Sequence, residues 1–225
     1  MRLGVFLSFL SSPCVFGADL PPAVPPEELD RFLARWTESY EGLKTLSIRF
    51  RQEKRYRYRR KPLLSRGTIR LDLAAGRLRC TVIDPEGNVD SELLAEKNAV
   101  RLFDPAFKRL EIYDLGAGKA PRVSFPGLDG DIKALRRDYE VALHRDAEAD
   151  RLVLTPKSPD APMRRMQLVL KEFAVKEMIQ EEKNGDSVRL LIEEFRKNPP
   201  LKPGDFDLVV PPGTEESRPL GKKPG

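Results

Sequence analysis

Residues 46–58, LSIRFRQEKRYRY, alternate with a period of two. Leu46, Ile48, Phe50, Gln52, Tyr56 and Tyr58 fall on one side, and Ser47, Arg49, Arg51, Glu53, Arg55 and Arg57 on the other. Successive side chains of a strand point to opposite faces, so the pattern predicts a long, half-buried antiparallel strand. A strand buried on both faces would read as a continuous apolar run instead. The sheet is therefore expected to keep water on its outer side, and another element has to cover the inner one.

That element lies directly upstream. Pro21, Pro22, Pro25 and Pro26 form an extended leader that ends where Glu27 and Glu28 open a helix, acids first as the helix dipole favours. Leu29, Phe32, Leu33, Trp36, Tyr40 and Leu43 recur at spacings of three and four, giving one apolar stripe on a helix expected to run to about Leu43. Stripe and inner strand face are predicted to cover each other.

Downstream, segments 64–73, 77–83, 90–95, 99–103 and 109–113 repeat the alternation. Ala75-Gly76, the loop Asp84-Pro85-Glu86-Gly87-Asn88, Lys97-Asn98 and a link through Pro105 separate them. Ile69, Leu71 and Leu73 share one face, as do Leu78, Cys80 and Val82. Gly116, Gly118, Gly127 and Gly130 then break the meander, and Leu128, Ile132 and Leu135 recur at helical spacing, which predicts a short second helix. Strands resume at 138–144, 151–155, 163–171, 174–182 and 187–195, the last two joined through Asn184-Gly185, a hairpin signal. Residues 206–210 suit either a final strand or a strapped-on extended segment, and 211–225 read as a loose tail. The expected fold is mainly β, with about eleven antiparallel strands and two short helices. A sheet of that size curls into a barrel or half-barrel, and the helices are the only elements available to plug it.

The 225 residues suit one domain, taken as 18–210. Hydrophobic content of 40% with 33% charge is that of a globular chain, not a disordered one. A net charge of +5 permits an acidic partner, although 35 acidic residues are interspersed among the 40 basic ones. Residues 1–17 read as a signal peptide, with Arg2 as its positive start, Leu3 opening a short apolar core and cleavage before Ala18, so the mature protein is expected to be exported. Cys14 follows Pro13, where a lipidation signal takes a small residue. Cleavage would leave Cys80 as the sole cysteine, so no internal disulfide can form, and its face-sharing with Leu78 and Val82 marks it as a small buried hydrophobe.

Few of the usual catalytic constellations can be assembled from the sequence. His144 is the only histidine, which leaves no multi-histidine metal site, and its place in an alternating strand suits a structural role. The four glycines of 116–130 do not have the spacing of a phosphate-binding loop. Glu193 and Glu194 are adjacent on a strand and should point to opposite faces, so they cannot share a proton. Neither an enzyme nor a metal or organic cofactor is expected. The basic run contains Arg49, Arg51, Lys54, Arg55, Arg57, Arg59, Arg60 and Lys61. On a strand its arginines and tyrosines face opposite ways, which denies nucleic acid a stacking platform. The run reads as a solvated face, or as one through which Arg49, Arg51, Arg55 and Arg57 meet an anionic membrane or an acidic protein.

In order and spacing, LSIRFRQE at 46–53, RGTIRLDLAAGRLRCTVIDPEGN at 66–88, VRLFDPAFKRLEI at 100–112, LVLTPKS at 152–158 and FDLVVPPGTE at 206–215 resemble the periplasmic outer-membrane lipoprotein carriers, the LolA-like proteins. The resemblance implies an unclosed antiparallel half-barrel with a helical lid over an apolar cavity that shields lipoprotein acyl chains in transit. It also implies an inner-membrane release complex and an outer-membrane acceptor as partners of a monomeric carrier. The cavity would then be lined by Phe32, Trp36 and Tyr40 of the helix stripe and by Ile48, Phe50, Ile69, Leu71 and Leu78 of the inner strand face. One departure stands out: the arginine that helps to hold the family's lid closed has no match at Ala74. The rival reading is an envelope scaffold or signalling module, its half-barrel filled by its own side chains, that binds an acidic partner through the basic face.

Overall fold

The computed structural model describes residues 20–96, 99–114 and 132–219. The N-terminal segment expected to be a signal peptide, with Cys14, the Lys97-Asn98 link and the glycine-rich break with Leu128 lie outside the described residues. After helix α1 (Pro26–Glu38) come β1 (Thr45–Arg55), β2 (Leu63–Asp72), β3 (Arg77–Ile83), β4 (Val89–Glu96), β5 (Ala99–Asp104) and β6 (Arg109–Asp114). Helix α2 (Ile132–Asp138) precedes β7 (Tyr139–Arg145), β8 (Asp150–Pro156), β9 (Met163–Lys171), β10 (Ala174–Glu182), β11 (Ser187–Lys197) and β12 (Glu215–Ser217). All the strands belong to one unclosed sheet ordered β12-β6-β5-β4-β3-β2-β1-β11-β10-β9-β8-β7.

The strand with the clearest alternation is the central one. β1 pairs with β2 on one side and β11 on the other, so the two halves of the meander fan out from it. Leu46, Ile48 and Phe50 are buried as the pattern requires. Tyr56 and Tyr58 depart from it: β1 ends at Arg55, and the two rings stack on each other at 5.5 Å beyond the sheet. A bulge between Arg49 and Phe50 sets Arg49 opposite Glu194 but Phe50 opposite Ile192, leaving Glu193 as the extra residue. Adjacency therefore does not separate Glu193 from Glu194: Arg49 reaches both, at 3.7 and 3.4 Å.

The eleven expected antiparallel strands are all present. The twelfth, β12, arises in the stretch read as a loose tail and lies parallel to β6, making the sheet mixed. Segment 206–210 is a strap, not a strand. It crosses the outer face, where Leu208 and Val210 pack on Phe103, Leu110 and Ile112. The outer side is consequently dry at this end of the sheet, contrary to the expectation of a fully wet face.

Helix α1 starts on Pro26, whose missing N–H costs nothing in the first turn, and Glu27 and Glu28 follow. It stops at Glu38, short of the expected Leu43. Thr37 and Ser39 hydroxyls donate to the carbonyls of Leu33 and Trp36, and Gly42 (φ 70°) turns the chain into β1. Ahead of the helix, the leader bridges the edge strand β7: Val24 N–H donates to Leu143 O at 2.8 Å. His144 Nδ1 lies 2.7 Å from Pro21 O, and because a carbonyl only accepts, this nitrogen carries the donated proton. The leader thereby covers backbone groups that an edge strand would otherwise leave open to pairing.

Candidate functional site

Helix and sheet meet in one apolar cluster that contains all eight expected cavity residues: Phe32, Trp36, Tyr40, Ile48, Phe50, Ile69, Leu71 and Leu78. Trp36, Ile48, Phe50 and Ile69 are at most 1% exposed, so the lid lies shut on the sheet. Tyr40 keeps its place on the stripe although it sits in the turn after α1. An aromatic ladder runs along the stripe. Phe173 contacts Phe32 at 5.4 Å, Phe32 contacts Trp36 at 6.4 Å, Trp36 meets Tyr40 edge-on at 6.2 Å and Tyr40 meets Phe195 edge-on at 6.4 Å.

Half of the site escaped the sequence reading. Leu143, Leu152, Leu154, Met163, Met166, Leu168, Leu170, Val175 and Met178 close the cluster from the β7–β10 side. Their signal was the same period of two, in strands farther along the chain from the helix. The three methionines give this wall unbranched, adaptable side chains. Phe173 is placed by backbone geometry: Glu172 and Phe173 form the β9–β10 turn with φ of 52° and 61°. Left-handed backbone at two consecutive non-glycine residues is held only where surrounding contacts impose it. Here it brings Phe173 under α1, with the Arg35 guanidinium 5.1 Å from the ring.

Polar ties hold the rim of the lid. Glu28 pairs with Arg145, and Asp30 pairs with Arg136 of α2. At the other end, Lys197 Nζ donates to Ser39 O and stands 4.4 Å from the Tyr40 ring centre. Burial pushes the Lys197 ammonium below its usual pKa. Ala74 is exposed in the β2–β3 turn, and among the described residues it is Arg136 and Arg145 that form ion pairs with acids of α1. Two open grooves of about 490 and 590 Å³ flank the helix, and Asp30 and Arg136 border both. Inside, the buried Trp36 Nε1 has no hydrogen-bond partner among the described residues.

Cys80 is half-buried on the cluster margin, and burial pushes its thiol up to about 11. Among the described residues there is no group of three His, Cys, Asp or Glu placed to hold a metal ion, and no helix is long and apolar enough to cross a membrane. The expected basic face is largely neutralised in place. Arg51 pairs with Glu193 at 2.8 Å, Arg55 with Glu53 at 2.5 Å and Arg49 with both glutamates of the bulge. Arg57, beyond the strand end, lies outside that network.

The family described as outer membrane lipoprotein carrier protein LolA matches residues 41–209. An outer-membrane lipoprotein carrier protein from Chromohalobacter salexigens is 22% identical over 126 residues, which make up 56% of this chain and about 60% of that relative's length. An uncharacterised conserved protein from Thermus thermophilus superposes with a TM-score of 0.50 at 14% identity, covering 84% of this chain and 99% of that one. A LolA superfamily protein from Nitrosomonas europaea gives a TM-score of 0.43 at 14% identity over 80% of this chain and 97% of that one.

Proposed function

The chain belongs to the family of the outer membrane lipoprotein carrier protein LolA, and from that premise we propose that it is a periplasmic, non-enzymatic carrier of acylated lipoprotein. Acyl chains enter between α1 and the inner sheet face. Burying an acyl chain is worth ~0.8 kcal/mol per CH₂, so about fourteen methylenes amount to ~11 kcal/mol, and such a chain needs cover to cross water. The observation that carries the proposal is the single apolar cluster joining Phe32, Trp36 and Tyr40 to Ile48, Phe50, Ile69, Leu71 and Leu78 beneath a rim of exposed ion pairs. A lid held by apolar contact gives way to an apolar guest that replaces those contacts, and the methionine wall adapts to guests of different length. The orphaned Trp36 Nε1 adds a donor for an ester carbonyl of the cargo.

The partners are an inner-membrane complex that supplies the acylated protein and an outer-membrane acceptor that takes it. The scaffold reading calls for a free basic strand face, and the pairing of Arg49, Arg51 and Arg55 with Glu53, Glu193 and Glu194 weighs against it.

Uptake of a fluorescent fatty acyl probe tests the carrier. Trp36 is the only tryptophan, so its emission reports on the lid alone. Saturable probe uptake with a shift of Trp36 emission is expected. A protein that takes up no probe, and whose emission does not respond, is a filled scaffold.

A further inference from the structure

A cluster of cations without ion-pair partners lies at one end of the sheet, in the turn between β1 and β2. From Lys54 to Leu64 the chain reads KRYRYRRKPLL, without an acid. Among the described residues, no carboxylate forms an ion pair with Arg57, Arg59, Arg60 or Lys61, in contrast to Arg49, Arg51 and Arg55 of the strand. Large apolar groups stand among these cations: Tyr58 is 81% exposed and Leu64 59%. The turn is built firmly enough to present them. Arg57 N–H donates to Asp186 Oδ1 at 2.9 Å, Arg59 N–H donates to Tyr56 O at 2.9 Å, and Tyr56 stacks against Tyr58. Arg55, Arg57, Arg59, Arg60 and Arg164 also border a cleft of about 440 Å³, whose far wall carries Glu181, Glu182 and Asp186, with Glu181 paired to Arg164 and Arg165, so the cations left for a partner are those of the turn. Two turns along, at the same end of the sheet, the β5–β6 turn exposes a further aromatic, Phe107 at 75%, beside Lys108 and an Arg109 that pairs with Glu111 at 3.4 Å.

We infer that this end of the half-barrel docks on an anionic phospholipid surface, with headgroup phosphates at Arg57, Arg59, Arg60 and Lys61 of the turn and Tyr58, Leu64 and Phe107 at the level of the headgroup–acyl boundary. Charge complementarity selects that occupant. Several unpaired cations attract an anionic leaflet, and exposed aromatic and aliphatic groups interleaved with them gain from partial burial there. A free phosphate would use the arginines but leave Tyr58 and Leu64 unexplained. The inference is separate from the cargo site, since no residue of the turn belongs to the apolar cluster.

The test is sedimentation with vesicles of phosphatidylglycerol and phosphatidylcholine, or of phosphatidylcholine alone, at several salt concentrations. Wild type is expected to bind the anionic vesicles, progressively less as salt rises, and to ignore the zwitterionic ones. A basic side chain near such a surface contributes about fivefold in binding, so changing Arg57, Arg59, Arg60 and Lys61 together to Gln should weaken it by about a hundredfold or more at low salt. The Tyr58→Ala, Leu64→Ala variant should lose affinity at unchanged charge, and Tyr58→Trp should add a blue-shifting emission component on anionic vesicles. Acyl-probe uptake should persist in every variant, which keeps this test apart from that of the carrier. Binding that ignores lipid charge, that survives the four-site change, or that millimolar inorganic phosphate abolishes overturns the inference. So does failure to bind vesicles while an acidic protein is bound.

Discussion

The Phe50 ring lies where a side chain at Gly67 would go. The two residues are cross-strand partners of β1 and β2, and a Cβ built at Gly67 would sit 2.5 Å from Phe50 Cζ and 2.4 Å from the carbonyl oxygen of Thr81. The glycine thus leaves room for a fully buried aromatic ring beside the β2 backbone. Gly67→Ala should destabilise the protein by about 1–3 kcal/mol, because the ring could swing away but the Thr81 backbone could not. Gly76 makes a contrasting control. Nothing stands within 4 Å of its Cβ position, so Gly76→Ala should incur only the cost of its left-handed φ of 62°. Denaturant midpoints of the two variants check the order.

A second prediction concerns Asp72, which the alternation places on the outer face but which is buried there. Its carboxylate takes a 2.7 Å ion pair from Arg77 and the N–H of Ala75, and these hold its pKa below the ordinary value. Arg77 in turn stands 4.4 Å from the Phe206 ring centre, and Arg70 pairs with Asp205 at 2.9 Å, so the C-terminal strap is fastened through the same group of charges. A depressed folded pKa adds stability that is complete above the unfolded carboxyl value of about 4 and is lost as pH falls through the folded one. Asp72→Asn should therefore lower the melting temperature at pH 7, and the gap to wild type should shrink below about pH 4. A gap that is the same at pH 7 and pH 3 would mean that the ion pair adds nothing.

Cys80 yields a third prediction. With burial raising its thiol to about 11, almost no thiolate exists at neutral pH. A disulfide reagent should modify the folded protein slowly and the denatured protein at once. Acyl loading that parts α1 from the sheet should speed the reaction, since Cys80 packs at the margin of that cluster.

The strands were legible wherever one face is consistently apolar, as at Leu46, Ile48 and Phe50 or at Leu152 and Leu154, because burial on one side imposes the period of two. The bulge at Glu193 was not, since two residues facing one depends on the partner strand and leaves local alternation nearly intact. Glu215 to Ser217 carries no strand propensity and joins the sheet only because the strap delivers it beside β6. Phe206, Leu208 and Val210 alternate visibly, yet nothing local says which face they cover. On the candidate site, the stripe of α1 and its nearest strands could be read directly. Phe173 could not, because its role depends on a turn conformation its residue type disfavours. The turn after β1 illustrates a related limit. A run of arginines reads as one basic face until partners are assigned, and only then do Arg57, Arg59 and Arg60 separate from Arg49 and Arg51.

The last prediction tests whether α1 is the gate. Its apolar stripe holds it down at equilibrium, while Glu28–Arg145 and Asp30–Arg136 lie on the solvent rim, the latter bordering both grooves. Exposed ion pairs are worth about 0–1 kcal/mol each, so Glu28→Gln with Asp30→Asn should move the melting temperature by only a few degrees, including the small loss of an acid from the first helical turn. Opening is another matter, because lifting the helix breaks both pairs before any guest contact replaces them. Acyl-probe uptake by wild type should therefore accelerate as salt screens the pairs, and the double variant should be fast at all salt concentrations. Stopped-flow mixing reads both rates. If variant and wild type load at the same rate, and neither responds to salt, the chains enter elsewhere and α1 is a fixed wall of the cavity.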